Sequence, residues 1–346
     1  MTSSTHILIP PSSNNNMINI FRPYTKHIFL FFIIYIVIFS FTIIYINQRN
    51  WEDNEKSIIS LSKKVAEQNI LIEHIHQTAE KLIKRNDSWN KSSPTIYAIT
   101  PTFARPVQKA ELTRLAQTFL HIPNFHWIVV EDATEPTSLV TNFLWESGLS
   151  YQHLHVATAP QMKLTAKDPH WKKPRGAAQR NAGLAWLRNN LNSSTNGIVY
   201  FADDDNTYSI KLFQEMEKIK VIGVWPVGLV GGLMVERPIC DNKTNKIIGF
   251  NSAWKPDRPF PFDMAAFALN LKVVLEKKDV WFTYTVRNGY QETDFLQQMV
   301  TLDQLEPLAD CCTKVYVWHT RTEAPQLKDE QRLNKLGKKS NDNIEV

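Results

Sequence analysis

Cysteine is scarce in this chain, with only Cys240, Cys311 and Cys312 in 346 residues. That excludes a small disulfide-scaffolded module, whose core is too thin to stand without bridges. An odd count leaves at least one thiol without an intrachain partner, and the sequence leaves open whether Cys240 pairs with Cys311 or Cys312. No GxxxxGK[ST] segment occurs, so a phosphoryl- or nucleotidyl-transfer enzyme of the P-loop kind lacks its phosphate cradle. No nucleic-acid motif occurs, and a net charge of +5 is too small and too dispersed for a polyanionic partner. No internal repeat is visible. The mild basic bias fits an enzyme that handles anionic ligands.

Charge is missing altogether from Ile28 to Ile46, IFLFFIIYIVIFSFTIIYI, where only Ser40 and Thr42 dilute the apolar run. At ~1.5 Å rise per residue this run matches a bilayer core of ~30 Å. It is longer than a signal-peptide core, and Asn47-Gln48-Arg49 is a poor cleavage site. Residues 1–27 hold Arg22 and Lys26 and no acid, whereas Glu52, Asp53 and Glu55 follow the run. The positive-inside bias then predicts a type II single-pass anchor with a cytoplasmic tail at 1–27. The rest of the chain would be lumenal. Sequons at Asn86, Asn90, Asn192 and Asn242 agree with that placement and are candidate glycosylation sites.

Residues 47–94 read as a stem. Ile58, Val65, Ile72 and Ala79 recur every seven residues, and Leu61, Gln68, Ile75 and Leu82 do so at the offset position. This a/d pattern predicts a helix that either pairs with a second stem in a parallel coiled coil or lies on the following domain. Gln68 weakens the seam.

Ser92-Ser93-Pro94 closes the stem, and residues 95–346 read as an α/β domain. IYAIT (96–100), HWIVVED (126–132), YQHLHVA (151–157) and GIVYFA (197–202) predict strands, with helical spacing over 108–120 and 176–187 between them. Strands alternating with helices imply βαβ units and a mainly parallel sheet. The second half is mixed: VIGVWPVGLVGGLMVE at 221–236, a predicted helix over 263–275 and a last strand, KVYVWHT, at 314–320.

The chemistry concentrates at strand ends. Asp203, Asp204 and Asp205 follow GIVYFA without a break, and Asp132 follows HWIVVE. In open parallel sheets ligands bind beyond the carboxyl ends of strands. Stacked carboxylates repel one another unless a hard divalent cation relieves them, and such cations bind together with substrate phosphates. Cations for a diphosphate are present in Lys172-Lys173-Pro174-Arg175-Gly176, which opens a helix with Arg180 one turn on, and in His319-Thr320-Arg321 after KVYVW.

Taken in order, ITPTFARPVQKAEL, VVEDA, PRGAAQRN, VYFADDDNTYS, VGLVGG, AWKPDRPFPFDMA and VWHTRTE resemble the β-1,3-glucuronosyltransferases of glycosyltransferase family 43. The resemblance runs from about Pro94 to the C-terminal IEV. It implies a GT-A fold, with about 95–206 binding the nucleotide sugar and about 207–346 the acceptor. It also implies a Golgi membrane location, a homodimer, UDP-glucuronic acid as donor, Mn²⁺ as cofactor and inversion at the anomeric carbon. Carried onto matching positions, Asp205 would be the metal ligand. Pro101, Phe103 and Asp132 would contact uracil, with Phe103 standing where many relatives have Tyr. Asp203 and Asp204 would hold ribose and neighbouring groups. Arg175, Arg180, His319 and Arg321 would meet the diphosphate and the glucuronate carboxylate. Glu292 would be the catalytic base, with Glu236, Trp254, Arg258 and Asp263 on the acceptor sugars.

Two acceptors fit the family: Gal-β1,3-Gal-β1,4-Xyl of the proteoglycan linkage region, and terminal N-acetyllactosamine. Trp254 and Gly228-Leu229 resemble the linkage branch, whereas GYQETDFLQQ resembles the other, and Asp329 stands where the linkage branch often has Gln. The linkage acceptor is the expected one. A catalytically silent sugar-binding scaffold of the secretory pathway would be marked by loss of Asp205 or Glu292, and both are present.

Overall fold

The computed structural model describes residues 31, 34–37, 61–70, 72–73, 93–163, 173–323, 325–342 and 344–345. The chain divides into two units, Met1–Arg85 and Asn86–Val346. In the first, 31, 34–37, 61–70 and 72–73 are helical. These include Leu61, Val65, Gln68 and Ile72 of the heptad series, and the three apolar ones are exposed. The rest of the series, most of the apolar run 28–46 and the sequons Asn86 and Asn90 lie outside the described residues. Among the described residues no helix is long and apolar enough to cross a membrane.

The second unit is mixed α/β. Its N-terminal part alternates β1 (Thr95–Thr102), α1 (Gln108–Phe119), β2 (Phe125–Glu131), α2 (Ser138–Glu146), β3 (Tyr151–His155), α3 (Ala177–Asn190) and β4 (Gly197–Phe201). Strands β1, β2 and β4 are buried along almost their whole length, as continuous apolar runs in a parallel sheet covered on both faces must be. Helix α1 turns Leu112, Leu115, Ala116 and Phe119 inward at spacings of three and four, so one stripe covers the sheet.

The remaining elements are β5 (Thr207–Tyr208), α4 (Ile210–Met216), β6 (Ile222–Val224), β7 (Val227–Val230), β8 (Leu233–Asp241), β9 (Lys246–Asn251), β10 (Phe267–Asn270), α5 (Leu271–Glu276), α6 (Gln291–Met299), β11 (Leu305–Pro307), β12 (Val317–Trp318) and α7 (Lys328–Lys335). The first sheet has the order β11-β6-β10-β4-β1-β2-β3 and the second β5-β12-β7-β8-β9. Strands β1, β2, β3 and β4 pair in parallel, while β10 runs antiparallel to both β4 and β6. The chain builds outward from β1 through β2 to β3, then returns to place β4 on β1's other side. That reversal opens a crevice at the carboxyl ends of β1 and β4, where the three aspartates emerge.

Two expectations from sequence are corrected. The helix over 263–275 is a short 3-10 turn at Met264–Ala266, then β10, then α5. Asp263 accepts the Ala265 N–H at 3.0 Å and so caps the turn. The apolar run AAFAL has no period that separates helix from strand, and the gap between β4 and β6 settles it as strand. The strand over 314–320 shrinks to Val317–Trp318, because β5 offers only two residues to pair with. The run 221–236 breaks at Pro226, which has no N–H for a ladder, and sends β6 and β7 into different sheets.

The cysteine pairing left open by the sequence is Cys240 with Cys311, at a Cα–Cα distance of 5.4 Å, while Cys312 is a buried thiol. Ala309, Asp310, Cys311 and Cys312 all have positive φ, so the bridge is anchored on a left-handed turn.

Candidate active site

Backbone ties hold the acid loop after β4. The Asp205 carbonyl accepts from Thr320 Oγ1 at 2.7 Å and from Arg114 Nη2 at 2.8 Å, and the Asp203 carbonyl accepts from Tyr208 Oη at 2.8 Å. The three side chains then diverge. Asp203 Oδ1 meets Arg180 Nη2 at 2.5 Å. Asp204 is buried, with Oδ1 paired to Arg105 at 2.7 Å and Oδ2 accepting from Thr102 Oγ1 at 2.7 Å. Burial raises Asp204 to about 6 in spite of Arg105. The Asp205 carboxylate makes no ion pair among the described residues; burial and then the charge of Asp203 raise its pKa. Of the three carboxylates, Asp205 is the one not paired with an arginine among the described residues.

Around this loop the donor-side candidates converge. Phe103, at the end of β1, is half exposed with the Arg105 guanidinium 4.6 Å over its ring. Asp132, at the end of β2, accepts from Thr158 through both oxygens at 2.7 Å. Gly176 opens α3 at φ 72°, and a Cβ there would stand 2.6 Å from Arg180 Nη1 and 3.3 Å from Pro101. A glycine therefore lets the helix start press Arg180 against Asp203. Arg175 is exposed beside it, its carbonyl holding Arg180 Nη1 at 2.9 Å. Lys172 lies outside the described residues.

The second half supplies a cavity of about 640 Å³ lined by Glu236, Trp254, Arg258, Asp263, Glu292, His319 and Arg321 among others. Every acceptor-side candidate and the base candidate thus face one space. His319 leaves β12 with Nδ1 3.1 Å from Asp263 Oδ2. That contact lifts His319 to about 9 against the effect of burial. Burial would raise Asp263, but His319 holds it below its ordinary value. Glu292 sits in the first turn of α6, and burial, with the charge of Asp263 added, lifts it to about 7. Arg258 lies 3.8 Å from Glu292 and moderates that rise. Glu236 is raised by burial and partly relieved by Ser252 Oγ, which donates at 2.5 Å.

Arg258 is a staple as well as a charge. It donates to the carbonyls of Gly289 at 2.6 Å, Trp254 at 3.1 Å and Lys255 at 3.2 Å. Gly289 is at φ 77°, and a Cβ there would overlap Trp254 Nε1. Trp254 lines the cavity with 43% of its surface exposed, and Lys255 Nζ lies 5.4 Å from its ring centre.

Residues 115–323 match the family model described as Glycosyltransferase family 43. Galactosylgalactosylxylosylprotein 3-beta-glucuronosyltransferase I of Drosophila melanogaster is 52% identical over 257 residues, covering 73% of this chain and 84% of that one. The chain belongs to glycosyltransferase family 43. Its Caenorhabditis elegans relative, galactosylgalactosylxylosylprotein 3-beta-glucuronosyltransferase sqv-8, is 47% identical, covering 83% of this chain and 79% of that one. The human enzyme galactosylgalactosylxylosylprotein 3-beta-glucuronosyltransferase 1 is 50% identical, covering 72% of this chain and 76% of that one. Among solved structures, S. aureus TarS 1-349 gives a slight likeness, with a TM-score of 0.43 at 14% identity over 65% of this chain and 60% of that one.

Several contacts in this family 43 chain escape a reading of sequence alone. Arg105, Thr102 and Thr158 buttress the candidate donor residues Asp204 and Asp132, while Arg114 and Thr320 fix the Asp205 backbone. Arg105 carries a faint signal, as a cation two residues from Phe103 at a strand end. Thr320 was visible merely as the residue between His319 and Arg321.

Proposed function

We propose that this chain transfers glucuronic acid from UDP-glucuronate to the 3-OH of the terminal galactose of Gal-Gal-Xyl, the proteoglycan linkage trisaccharide. The observation that carries the proposal is the convergence of Glu292, His319 and Trp254 on one cavity beside the Asp203–Asp205 loop, in a chain half identical to galactosylgalactosylxylosylprotein 3-beta-glucuronosyltransferases.

The roles follow from the chemistry. Phe103 offers a ring face and Asp132 a carboxylate to uracil at the mouth of β1 and β2, with Pro101 beside them. Asp203 and Asp204 border the ribose. Trp254 stacks on the C–H face of a galactose, and Glu236, Asp263 and Arg258 order its hydroxyls. Glu292 takes the proton from the galactose 3-OH, and its raised pKa suits a base working near neutrality. The galactose O3 attacks the anomeric carbon of glucuronate from the face opposite the diphosphate. The C1–O bond breaks with its electron pair going to UDP, so one displacement inverts that centre. Arg180, His319 and Arg321 receive the negative charge of the leaving diphosphate, while Arg175 lies at the rim for the glucuronate carboxylate.

The residues fit a hard divalent cation. Asp205 has a carboxylate under repulsion from Asp203 and committed to no ion pair among the described residues. No group of three or more His, Cys, Asp or Glu able to hold a metal occurs among the described residues, so the diphosphate would complete the shell. Bound there, Mn²⁺ would supply charge neutralisation at the leaving oxygens.

The uncharged run 28–46 and its flanking charges support a type II anchor in the Golgi membrane, with the second unit in the lumen. The exposed heptad residues Leu61, Val65 and Ile72 support pairing of two stems into a homodimer.

The test is a transfer assay on residues 50–346 with UDP-glucuronate and Mn²⁺, offering Gal-Gal-Xyl and N-acetyllactosamine side by side. Transfer to Gal-Gal-Xyl alone is expected. Transfer to N-acetyllactosamine would overturn the assignment of acceptor, and UDP binding without transfer would mark a silent sugar-binding protein.

A further inference from the structure

A second cleft, of about 350 Å³, opens at the amino ends of β1 and β2, the opposite edge of the sheet from the catalytic crevice. Tyr97, Asn124, His126, Ser150, Trp186 and Leu191 line it. Nothing in the transfer reaction uses it. The His126 and Trp186 rings stack at 5.1 Å with planes 14° apart, and Tyr97 meets His126 edge-on at 5.8 Å. Ser150 Oγ contacts His126 Nδ1 at 2.8 Å. His126 Nε2 is buried and has no hydrogen-bond partner. An aromatic wall with the Ser150 hydroxyl at its edge is chemistry that suits a sugar ring.

The chain itself delivers such a ring. Leu191 lines the cleft, and the next residue is Asn192 of the sequon Asn192-Ser193-Ser194. Asn192 is exposed, in the loop between α3 and β4. Its Oδ1 accepts from the Ser194 N–H at 3.0 Å and the Ser194 hydroxyl at 2.5 Å. Both contacts use the oxygen and spare the amide nitrogen, the atom that carries a glycan. Consecutive Cα atoms are only about 3.8 Å apart, so a sugar on Asn192 starts at the lip of the cleft. A cleft of this volume falls within the range of small-ligand sites, about 300–1,000 Å³.

We infer that the cleft is the seat of the first N-acetylhexosamine of an N-linked glycan on Asn192, with the wall of Trp186, His126 and Tyr97 receiving the ring. The inference rests on the lumenal placement proposed above. Seated there, the sugar ties the end of α3 to the amino ends of β1 and β2. It stabilises the domain without entering the reaction.

The experiment uses the full chain expressed in a secretory host. Glycopeptide mass spectrometry reads each sequon, and native digestion with a peptide N-glycosidase compares release from Asn192 with release from exposed Asn242. Thermal unfolding is then measured for Asn192→Gln, Ser194→Ala, Trp186→Ala and the combinations. The expected results are occupancy at Asn192 and release at least tenfold slower than at Asn242. Loss of the sugar by either route should lower Tm by about 3 °C, the shift given by roughly 1 kcal/mol in a domain of this size, and by less than about 1 °C once Trp186 is Ala. If Trp186→Ala does not fold, the relative release rate decides. Glycan on Asn242 with Asn192 bare overturns the inference and leaves the lumenal placement standing. No glycan at any sequon overturns both. An occupied Asn192 released as fast as Asn242 overturns the inference.

Discussion

Asp263 and His319 form an ion pair at 3.1 Å across the floor of the catalytic cavity, and the same carboxylate raises Glu292. One buried charge therefore adds to the effect of burial on the proposed base and leads the rise of the proposed diphosphate-facing cation. As the proposed base Glu292 would act deprotonated, and burial pushes it up to about 7. As the proposed cation at the diphosphate His319 would act protonated, and Asp263 lifts it to about 9. The kcat/KM profile should be a bell with limbs near those values. Asp263→Asn removes negative charge from both neighbours, which disfavours their protonated forms. Both limbs should move to lower pH together. A pH–rate profile in which only one limb moves would break this link.

Glu292→Gln should lower kcat by about 10²–10⁴-fold, the usual worth of a positioned base. UDP and Mn²⁺ affinity, read by calorimetry, should stay near normal. Equal loss of both would make Glu292 a structural residue.

The same substitution should raise stability, and the sign follows from linkage. Burial lifts Glu292 from an ordinary 4.5 to about 7 in the folded chain, so above pH 4.5 the unfolded state gives up its proton more readily. The native carboxyl thus loses stability as pH rises from 4.5 to 7. A neutral glutamine at the site escapes this, so Tm of Glu292→Gln should exceed the parent's at pH 8 and match it at pH 4. A Tm gain independent of pH would point to packing instead.

Arg105 is paired with Asp204 and with Glu111, and its guanidinium lies over Phe103. Breaking a buried pair by removing one partner costs about 3 kcal/mol, because the other charge is left bare. Arg105→Ala should show that loss in denaturant unfolding and a KM for UDP-glucuronate raised about tenfold, or 1.4 kcal/mol, with acceptor KM unchanged. A rise in acceptor KM alone would move Arg105 out of the donor site.

Gly289→Ala should act on the other substrate. The added Cβ overlaps Trp254 Nε1 and the residue needs φ 77°, so the ring must turn away from its place. Acceptor KM should rise by about tenfold or more, the equivalent of one lost aromatic–sugar contact of about 1.4 kcal/mol. UDP affinity should not change.

Much of this architecture is legible in the residues, and the limits are physical. The first four strands read correctly because parallel strands buried on both faces are continuous apolar runs, and α1 and α3 because one apolar stripe recurs at helical spacing. The Asp203–Asp205 loop read as a ligand site because strand-end carboxylates have no packing role to explain them. Residues 263–275 read wrongly: AAFAL carries no period, and the slot between β4 and β6 made the choice. Arg105 and Thr158 were missed because their partners lie on other elements, Asp204 at the end of β4 and Asp132 at the end of β2. No local pattern encodes such pairs. The choice of Cys311 over Cys312 was likewise unreadable, since adjacent residues differ only in the direction that the left-handed turn gives them.

The three carbonyls gathered by Arg258 have a consequence for how the proposed acceptor site of this chain can be altered. Segments 254–255 and 289 are clasped by one guanidinium, so neither can lengthen or shift alone without stranding a buried cation. The frame that holds the ring at 254 is thus built from two segments that depend on one side chain. Grafting a relative's acceptor loop onto this chain should therefore succeed only when both segments travel together.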